Sequence, residues 1–103
     1  MGILDGKAVV VTGGARGIGR GHCIHLAENG ASVIVNDVDR DEGQKVVDEI
    51  AAQGGKASLN GSDIGSREGA QQLIAQCVDE FGAIDAIVNN AGNMKDRSFL
   101  KMT

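Results

Sequence analysis

The sequence predicts an α/β fold in which helices flank a parallel sheet. Short apolar runs alternate along the chain with longer segments of helical periodicity, which is the pattern of consecutive βαβ units. The first run, residues 7–12, is almost continuously apolar, as expected for a strand buried on both faces. Right-handed crossovers between such units give a parallel sheet, most simply in the order 3-2-1-4.

Local signals predict where each element begins and ends. Gly30 is the expected C-cap of the first helix, and glycines at 54–55 and 82 end the second and third. Asp39 or Asp41 can start the second helix and Ser66 the third, because their side-chain oxygens accept hydrogen bonds from free first-turn amides. In order, the predicted elements are strand 7–12, helix 17–29, strand 32–36, a helix between 39 and 54, strand 56–60, a helix between 66 and 82, strand 84–89 and the start of a helix at 98–103.

Composition restricts the class of protein. The chain has 103 residues, of which 42% are apolar and 23% charged, which suits one small globular domain. Its net charge of −4, without a basic run, argues against nucleic-acid or acidic-membrane binding. No long apolar stretch is present, so neither a signal peptide nor a membrane span is expected, and a cytoplasmic location is predicted. Cys23 and Cys77 lack metal or redox spacing and are expected to be reduced and buried.

A glycine-rich turn follows the first predicted strand and opens the first helix. Residues 12–19 read Thr-Gly-Gly-Ala-Arg-Gly-Ile-Gly. A helix N-terminus offers free N–H groups and partial positive charge, and glycines let a phosphate approach the backbone closely. The glycines at 13, 17 and 19 depart from the G-x-G-x-x-G spacing. Taken alone, the segment predicts either a phosphate site or an ordinary turn between a strand and a helix.

Polar residues follow each of the other predicted strands. Asp37 comes after the second, roughly 20 residues beyond the turn, as in dinucleotide-binding units. Asp63 follows the third strand, and Asn-Asn-Ala-Gly at 89–92 comes at the end of the fourth. The carboxyl ends of parallel strands meet at one sheet edge, where open α/β sheets bind ligands. Together these features predict a dinucleotide site, although each alone is also compatible with a plain turn.

These four motifs, in this order, resemble those of the short-chain dehydrogenase/reductase family. The resemblance covers nearly the whole chain. Residues 95–99 are also similar to the corresponding segment of 3-oxoacyl reductases and of the hydroxyacyl-dehydrogenase part of multifunctional β-oxidation enzymes. The resemblance implies a Rossmann-type, doubly wound fold that is truncated here. Residues 1–103 would form its dinucleotide-binding domain, incomplete at the C-terminus.

The resemblance also implies a role for each candidate site residue. Asp37 would accept hydrogen bonds from the adenosine ribose, Asp63 would bind the adenine amino group, and Ile64 would lie beside the ring. Thr12 would tie the first strand to the Asn-Asn-Ala-Gly turn. The other candidates are Gly13, Gly14, Ala15, Arg16, Gly17, Ile18 and Gly19 for the phosphates, and Asn90, Ala91 and Gly92 as the floor beneath the nicotinamide ribose.

The cofactor is predicted to be NAD rather than NADP. The Asp37 carboxylate would repel the additional phosphate of NADP, and Val38 stands where NADP-dependent members often carry arginine. Arg16 argues in the opposite direction, because a basic residue in the turn can meet that phosphate. Since arginine occurs there in both kinds of member, Asp37 receives more weight.

The implied reaction is hydride transfer between the nicotinamide and an alcohol or ketone, or an acyl substrate. Family members place catalytic Asn, Ser, Tyr and Lys after the Asn-Asn-Ala-Gly turn, and this chain has no tyrosine. No catalytic or metal-binding residue is therefore assigned. The chain alone is expected to be inactive, and the full-length enzyme to be a homo-oligomer. The alternative is a non-catalytic dinucleotide-binding module; a sugar-nucleotide epimerase is disfavoured by the glycine spacing.

His22 and His25 lie in the first predicted helix. Neither has a partner at metal-ligand spacing. The family position of His22 is usually aliphatic, so His22 is expected to be a partly buried packing residue.

Overall fold

The computed structural model describes residues 3–15 and 17–89. The strands within them are β1 (Ala8–Thr12), β2 (Ser32–Asn36), β3 (Lys56–Asn60) and β4 (Ala86–Asn89), and the helices are α1 (Gly17–Glu28), α2 (Arg40–Ala52) and α3 (Arg67–Phe81). The strands form one parallel sheet in the order β3-β2-β1-β4, which confirms the predicted topology. The helix predicted at 98–103 lies outside the described residues.

Two strands begin later in the sequence than predicted. The backbone N–H of Lys7 donates to the carbonyl of Leu4 in a turn (2.9 Å), so β1 begins one residue later than expected. Strand β4 begins at Ala86 rather than at Ile84. Ile84 is apolar because it packs against the core beneath α3, and periodicity alone does not distinguish that packing from strand pairing.

The core is divided between the two faces of the sheet. Side chains of a buried strand alternate between faces, so neighbouring valines in β1 enter different clusters. The first cluster contains Val9, Val11, Val33 and Val35 together with Cys23 of α1 and Val46 and Ile50 of α2. The second contains Ala8, Val10, Ile34 and Ile87 together with Leu73 and Cys77 of α3. Two helices therefore cover one face and one helix covers the other.

The prediction for His22 was wrong. Its side chain is exposed on α1, whose buried residues are Gly19 and Cys23. These two positions are four residues apart and therefore lie on the same side of the helix. Because each residue is rotated about 100° from the next, a buried Cys23 turns the preceding residue toward solvent.

Of the helices in the described part of the chain, none is long and apolar enough to cross a membrane.

Both cysteines are buried and unpaired, as predicted. Desolvation raises the pKa of the Cys23 thiol from 9.0 to about 12. The pKa of Cys77 is also raised, first by burial and then by the charges of Asp85 and Glu80. Both thiols are therefore protonated in the folded protein at neutral pH.

The raised pKa of Cys23 predicts a loss of stability in alkaline solution. The thiol ionises near its ordinary pKa in the unfolded chain but only near 12 in the folded one, so stability falls as the pH rises above 9. The expected loss from about pH 7.5 to about pH 10.5 is about 2 kcal/mol. Urea unfolding should show this additional loss in the wild type relative to Cys23→Ala. Parallel pH profiles for the two proteins would contradict it.

Candidate functional site

Three loops converge on one cleft at the carboxyl edge of the sheet. The cleft has a volume of about 270 Å³. It brings together the turn after β1 and the loops after β2 and β3, as expected for an open parallel sheet. Its lining residues are Gly13, Asn36, Asp37, Val38, Ser62, Asp63 and Ile64. Four predicted site residues therefore share this cleft: Gly13, Asp37, Asp63 and Ile64.

The glycine turn brings the start of α1 against the end of β1. Gly13 and Gly17 have φ angles of 62° and 53°, in the left-handed region that favours glycine. Gly19 lies in the first turn of α1, where an added Cβ would be 2.0 Å from the Gly13 carbonyl oxygen. No side chain fits between them. The absence of a Cβ at Gly19 therefore allows the helix to begin beside the turn.

Gly14 rests on the core beneath the turn. An added Cβ at Gly14 would lie 3.0 Å from the Cys23 Sγ and 3.1 Å from the Val35 Cγ1. The Gly14 N–H donates to the Asn36 carbonyl at 3.1 Å. The turn is thereby attached to the end of β2 and supported by the inner face of α1.

The N-terminus of α1 differs from those of the other helices in its charge. Asp39 and Ser66 cap α2 and α3 through their side chains, and both helices carry acidic residues in the first turn. The first turn of α1 has none. Among the described residues, none lies within 4 Å of a Cβ added at Gly17, and Ile18 is 75% exposed. This end of α1 therefore presents open space and partial positive charge, which suit an anion.

The half-buried Asp37 carboxylate makes two hydrogen bonds to backbone amides. Its Oδ2 accepts from the Ala15 N–H at 3.1 Å, and its Oδ1 accepts from the Asp39 N–H at 2.9 Å. The first bond connects the end of β2 to the glycine turn, and the second orders the entry to α2. The sequence predicted a ligand role for this carboxylate but did not indicate either contact.

Asp63 and Ile64 form the third side of the cleft. The Asp63 carboxylate is exposed, and its Oδ1 accepts from the Gly65 N–H at 2.8 Å. The Ser66 hydroxyl, which caps α3, donates to the Asp63 carbonyl at 3.0 Å. Ile64 is half-buried and packs against the cluster beneath α3. The cap of α3 thus fixes the loop that carries both residues.

A polar row, defined as Asn60, Asn36, Thr12 and Asn89, crosses the sheet at the same edge. The strand register places these four residues side by side, one from each strand. The Thr12 hydroxyl donates to the Asn89 Oδ1 at 2.8 Å, which bonds the end of β1 to the first residue of the Asn-Asn-Ala-Gly segment. The Asn36 Nδ2 donates to the Asn60 Oδ1 at 2.8 Å. The row is therefore bonded in two pairs.

Sequence reasoning missed Asn36 and Asn60. Both are buried, and the Asn36 Nδ2 also donates to the Ser62 carbonyl at 3.0 Å, which fixes the loop after β3. The Asn60 Nδ2 donates to the Gln76 Oε1 of α3 at 2.8 Å. A signal was present, because an asparagine ends three of the four predicted strands.

Four predicted site residues lie outside the described part of the chain: Arg16, Asn90, Ala91 and Gly92. Within residues 3–15 and 17–89 there is no group of three or more His, Cys, Asp or Glu side chains that could hold a metal ion. The side chains of the cleft are arranged for hydrogen bonding and apolar contact.

Comparison with known proteins gives consistent matches. The family model described as short chain dehydrogenase matches residues 7–103. The chain is 42% identical to the peroxisomal multifunctional enzyme type 2 of Mus musculus over 97% of its own length and 14% of that protein. A crystal structure of a short chain dehydrogenase from Mycobacterium avium is 43% identical, with a TM-score of 0.85, over 89% of this chain and 36% of the other.

A second solved structure contains ligands. This 7α-hydroxysteroid dehydrogenase, complexed with NADH and 7-oxo glycochenodeoxycholic acid, is 41% identical to the chain with a TM-score of 0.85. The match covers 87% of this chain and 35% of the other. The chain thus spans well under half the length of each of these three relatives.

Two glycines in α1 provide a matched test of the close contact at the turn. Gly19→Ala should strongly destabilise the protein, because the new Cβ would overlap the Gly13 carbonyl. Gly21→Ala, in the same helix and with no described residue within 4 Å of the added Cβ, should raise the free energy of unfolding by about 0.5–1 kcal/mol, since alanine is the better helix former. Chemical unfolding of both variants checks this. Equal effects would contradict the steric account.

Proposed function

Because the chain belongs to the short-chain dehydrogenase family, we propose that it supplies the cofactor-binding part of an NAD-dependent oxidoreductase. The reaction is hydride transfer between the nicotinamide and an alcohol or ketone. The observation that carries the proposal is the convergence of the glycine turn, Asp37 and the 63–64 loop on one cleft. Bound NAD would supply the redox chemistry, and the protein would bind and orient it.

The phosphates and the adenosine ribose fit adjacent parts of this site. The phosphates would occupy the open end of α1 beside Gly17, where the first turn has no acidic residue. The ribose would meet Asp37. Each carboxylate oxygen there accepts one backbone amide, and a carboxylate oxygen has two lone pairs. One acceptor site on each oxygen therefore remains for a ribose hydroxyl.

The adenine ring would occupy the apolar part of the cleft. Val38 is 69% exposed there, and the half-buried Ile64 lines the same cleft. Covering these side chains with a flat aromatic ring removes apolar surface from water. Asp63 lines the same cleft, and its carboxylate can accept a hydrogen bond from the exocyclic amine of the adenine.

The preference for NAD rests on charge. A 2′-phosphate on the adenosine ribose would approach the Asp37 carboxylate, and like charges repel. Val38 supplies no opposing cation. The hydroxysteroid dehydrogenase structure of similar fold contains NADH and 7-oxo glycochenodeoxycholic acid. These ligands of a relative support the proposal of a nicotinamide cofactor and a ketone substrate.

The proposed substrate is an alcohol, a ketone or an acyl compound. The full-length enzyme is proposed to be a homo-oligomer in the cytoplasm, although the similar mouse enzyme is named peroxisomal.

Replacing Asp37 should weaken the preference for NAD. Asp37→Ala removes the repulsion and two charge-assisted bonds to the ribose, which should reduce the difference between the cofactors by about 2–3 kcal/mol. Steady-state kinetics of the full-length enzyme with NAD and NADP measure this. Asp41→Ala, which removes the same charge from an exposed position of α2, is the control. A wild-type preference for NADP would contradict the proposal.

Residues 1–103 alone should bind NAD weakly at best and turn over no substrate. The chain contains no tyrosine to protonate the carbonyl oxygen, and loss of a general acid costs about 10²–10⁴-fold in rate. NADH oxidation with a panel of ketones and calorimetric titration with NAD are the measurements. Gly17→Val is the control, because valine is strained at a φ of 53°. Turnover above the buffer blank that this variant abolishes would contradict the expectation.

A further inference from the structure

Two successive backbone amides of the glycine turn donate to acceptors of different kinds at the end of β2. The Gly14 N–H donates to a backbone carbonyl, that of Asn36, whereas the Ala15 N–H donates to the Asp37 side chain. Ala15 is only 3% exposed. A buried N–H without an acceptor is costly, so the position of Ala15 depends on a side-chain acceptor at position 37.

Electrostatics alone would disfavour a carboxylate at this position. Asp37 is bonded to the same turn that would receive the cofactor's phosphates, and a negative charge nearby weakens anion binding. A second effect must raise the affinity for an anion if the site is to hold phosphates well. Ordering of the turn raises this affinity, because a preorganised turn loses less conformational entropy on binding.

We infer that Asp37 is a positioning residue for the phosphate-binding turn as well as a contact for the ribose. The inference rests on the proposed function for its ligand, but its structural part concerns this chain alone. The carboxylate couples the two halves of the adenosine diphosphate site, because it bonds the turn through Oδ2 and the start of the next helix through Oδ1.

Inorganic pyrophosphate separates the two roles, because it has no ribose to contact Asp37. Asp37→Asn and Asp37→Ala remove the same charge, so any electrostatic gain is common to both. Only the asparagine retains an oxygen that can accept from the Ala15 N–H. Because it has a single such oxygen, the bond to the Asp39 N–H is then lost in all the Asp37 variants alike. Asp37→Leu is a second variant without an acceptor, close in size to asparagine, in case the alanine variant does not fold.

The expected result is that Asp37→Asn binds pyrophosphate at least as tightly as the wild type. Asp37→Ala and Asp37→Leu should bind it about three- to tenfold more weakly than Asp37→Asn, the effect of one hydrogen bond. The Asp41→Asn and Asp41→Ala pair, on the exposed first turn of α2, should show no such difference. Equal affinities in the three Asp37 variants would overturn the inference.

Hydrogen exchange at the Ala15 amide tests the same inference without any ligand. This amide should exchange about three- to tenfold faster in Asp37→Ala or Asp37→Leu than in Asp37→Asn. Equal exchange rates would overturn the inference, whatever the ligand measurements show. If the full-length wild type binds neither NAD nor pyrophosphate, the proposed function fails, and the exchange comparison still decides the role of Asp37.

Discussion

The register of the parallel sheet is the constraint on which the site depends. It aligns the last residue of each strand in the polar row, from Asn60 to Asn89, so that the loops after β1, β2 and β3 leave the sheet at the same level. A shift of one residue in any strand would move its loop along the strand axis and turn its side chains to the other face. The hydrogen bonds within the row, from Thr12 and from Asn36, favour the observed alignment.

The glycines of the turn serve two distinct physical purposes. Gly13 and Gly17 are required by backbone conformation, because both have positive φ. Gly19 has an ordinary helical conformation and is required by space, since the Gly13 carbonyl occupies the position of its Cβ. The first requirement shapes the turn, and the second sets the distance between the turn and α1. Together they bring the start of α1 beside the turn, whose Gly13 lines the cleft.

Much of the fold could be predicted from the sequence because its signals are local. The caps at Asp39 and Ser66, the end of α3 at Gly82 and the bounds of β2 and β3 agree with the predictions. The convergence of Asp37 and Asp63 followed from the parallel topology alone. The family membership implied by the order of the motifs is likewise confirmed.

The missed features all depend on contacts between distant residues. The bond from Ala15 to Asp37 spans 22 residues, and the bond from Asn36 to Asn60 spans 24. Neither partner in such a pair indicates the other by composition or spacing. His22 was misassigned for a related reason, because a weakly amphipathic helix does not fix its own rotation, and the burial of Cys23 against Gly14 decides it.

The packing of Cys23 beneath Gly14 has an evolutionary consequence. A methyl group at residue 14 would lie 3.0 Å from the Cys23 Sγ, 3.1 Å from the Val35 Cγ1 and 3.2 Å from the Val11 carbonyl oxygen. A change to alanine at position 14 therefore needs both side chains, at positions 23 and 35, to give way together. These three positions should covary among homologous sequences, with a larger residue at position 14 accompanied by smaller residues at the other two.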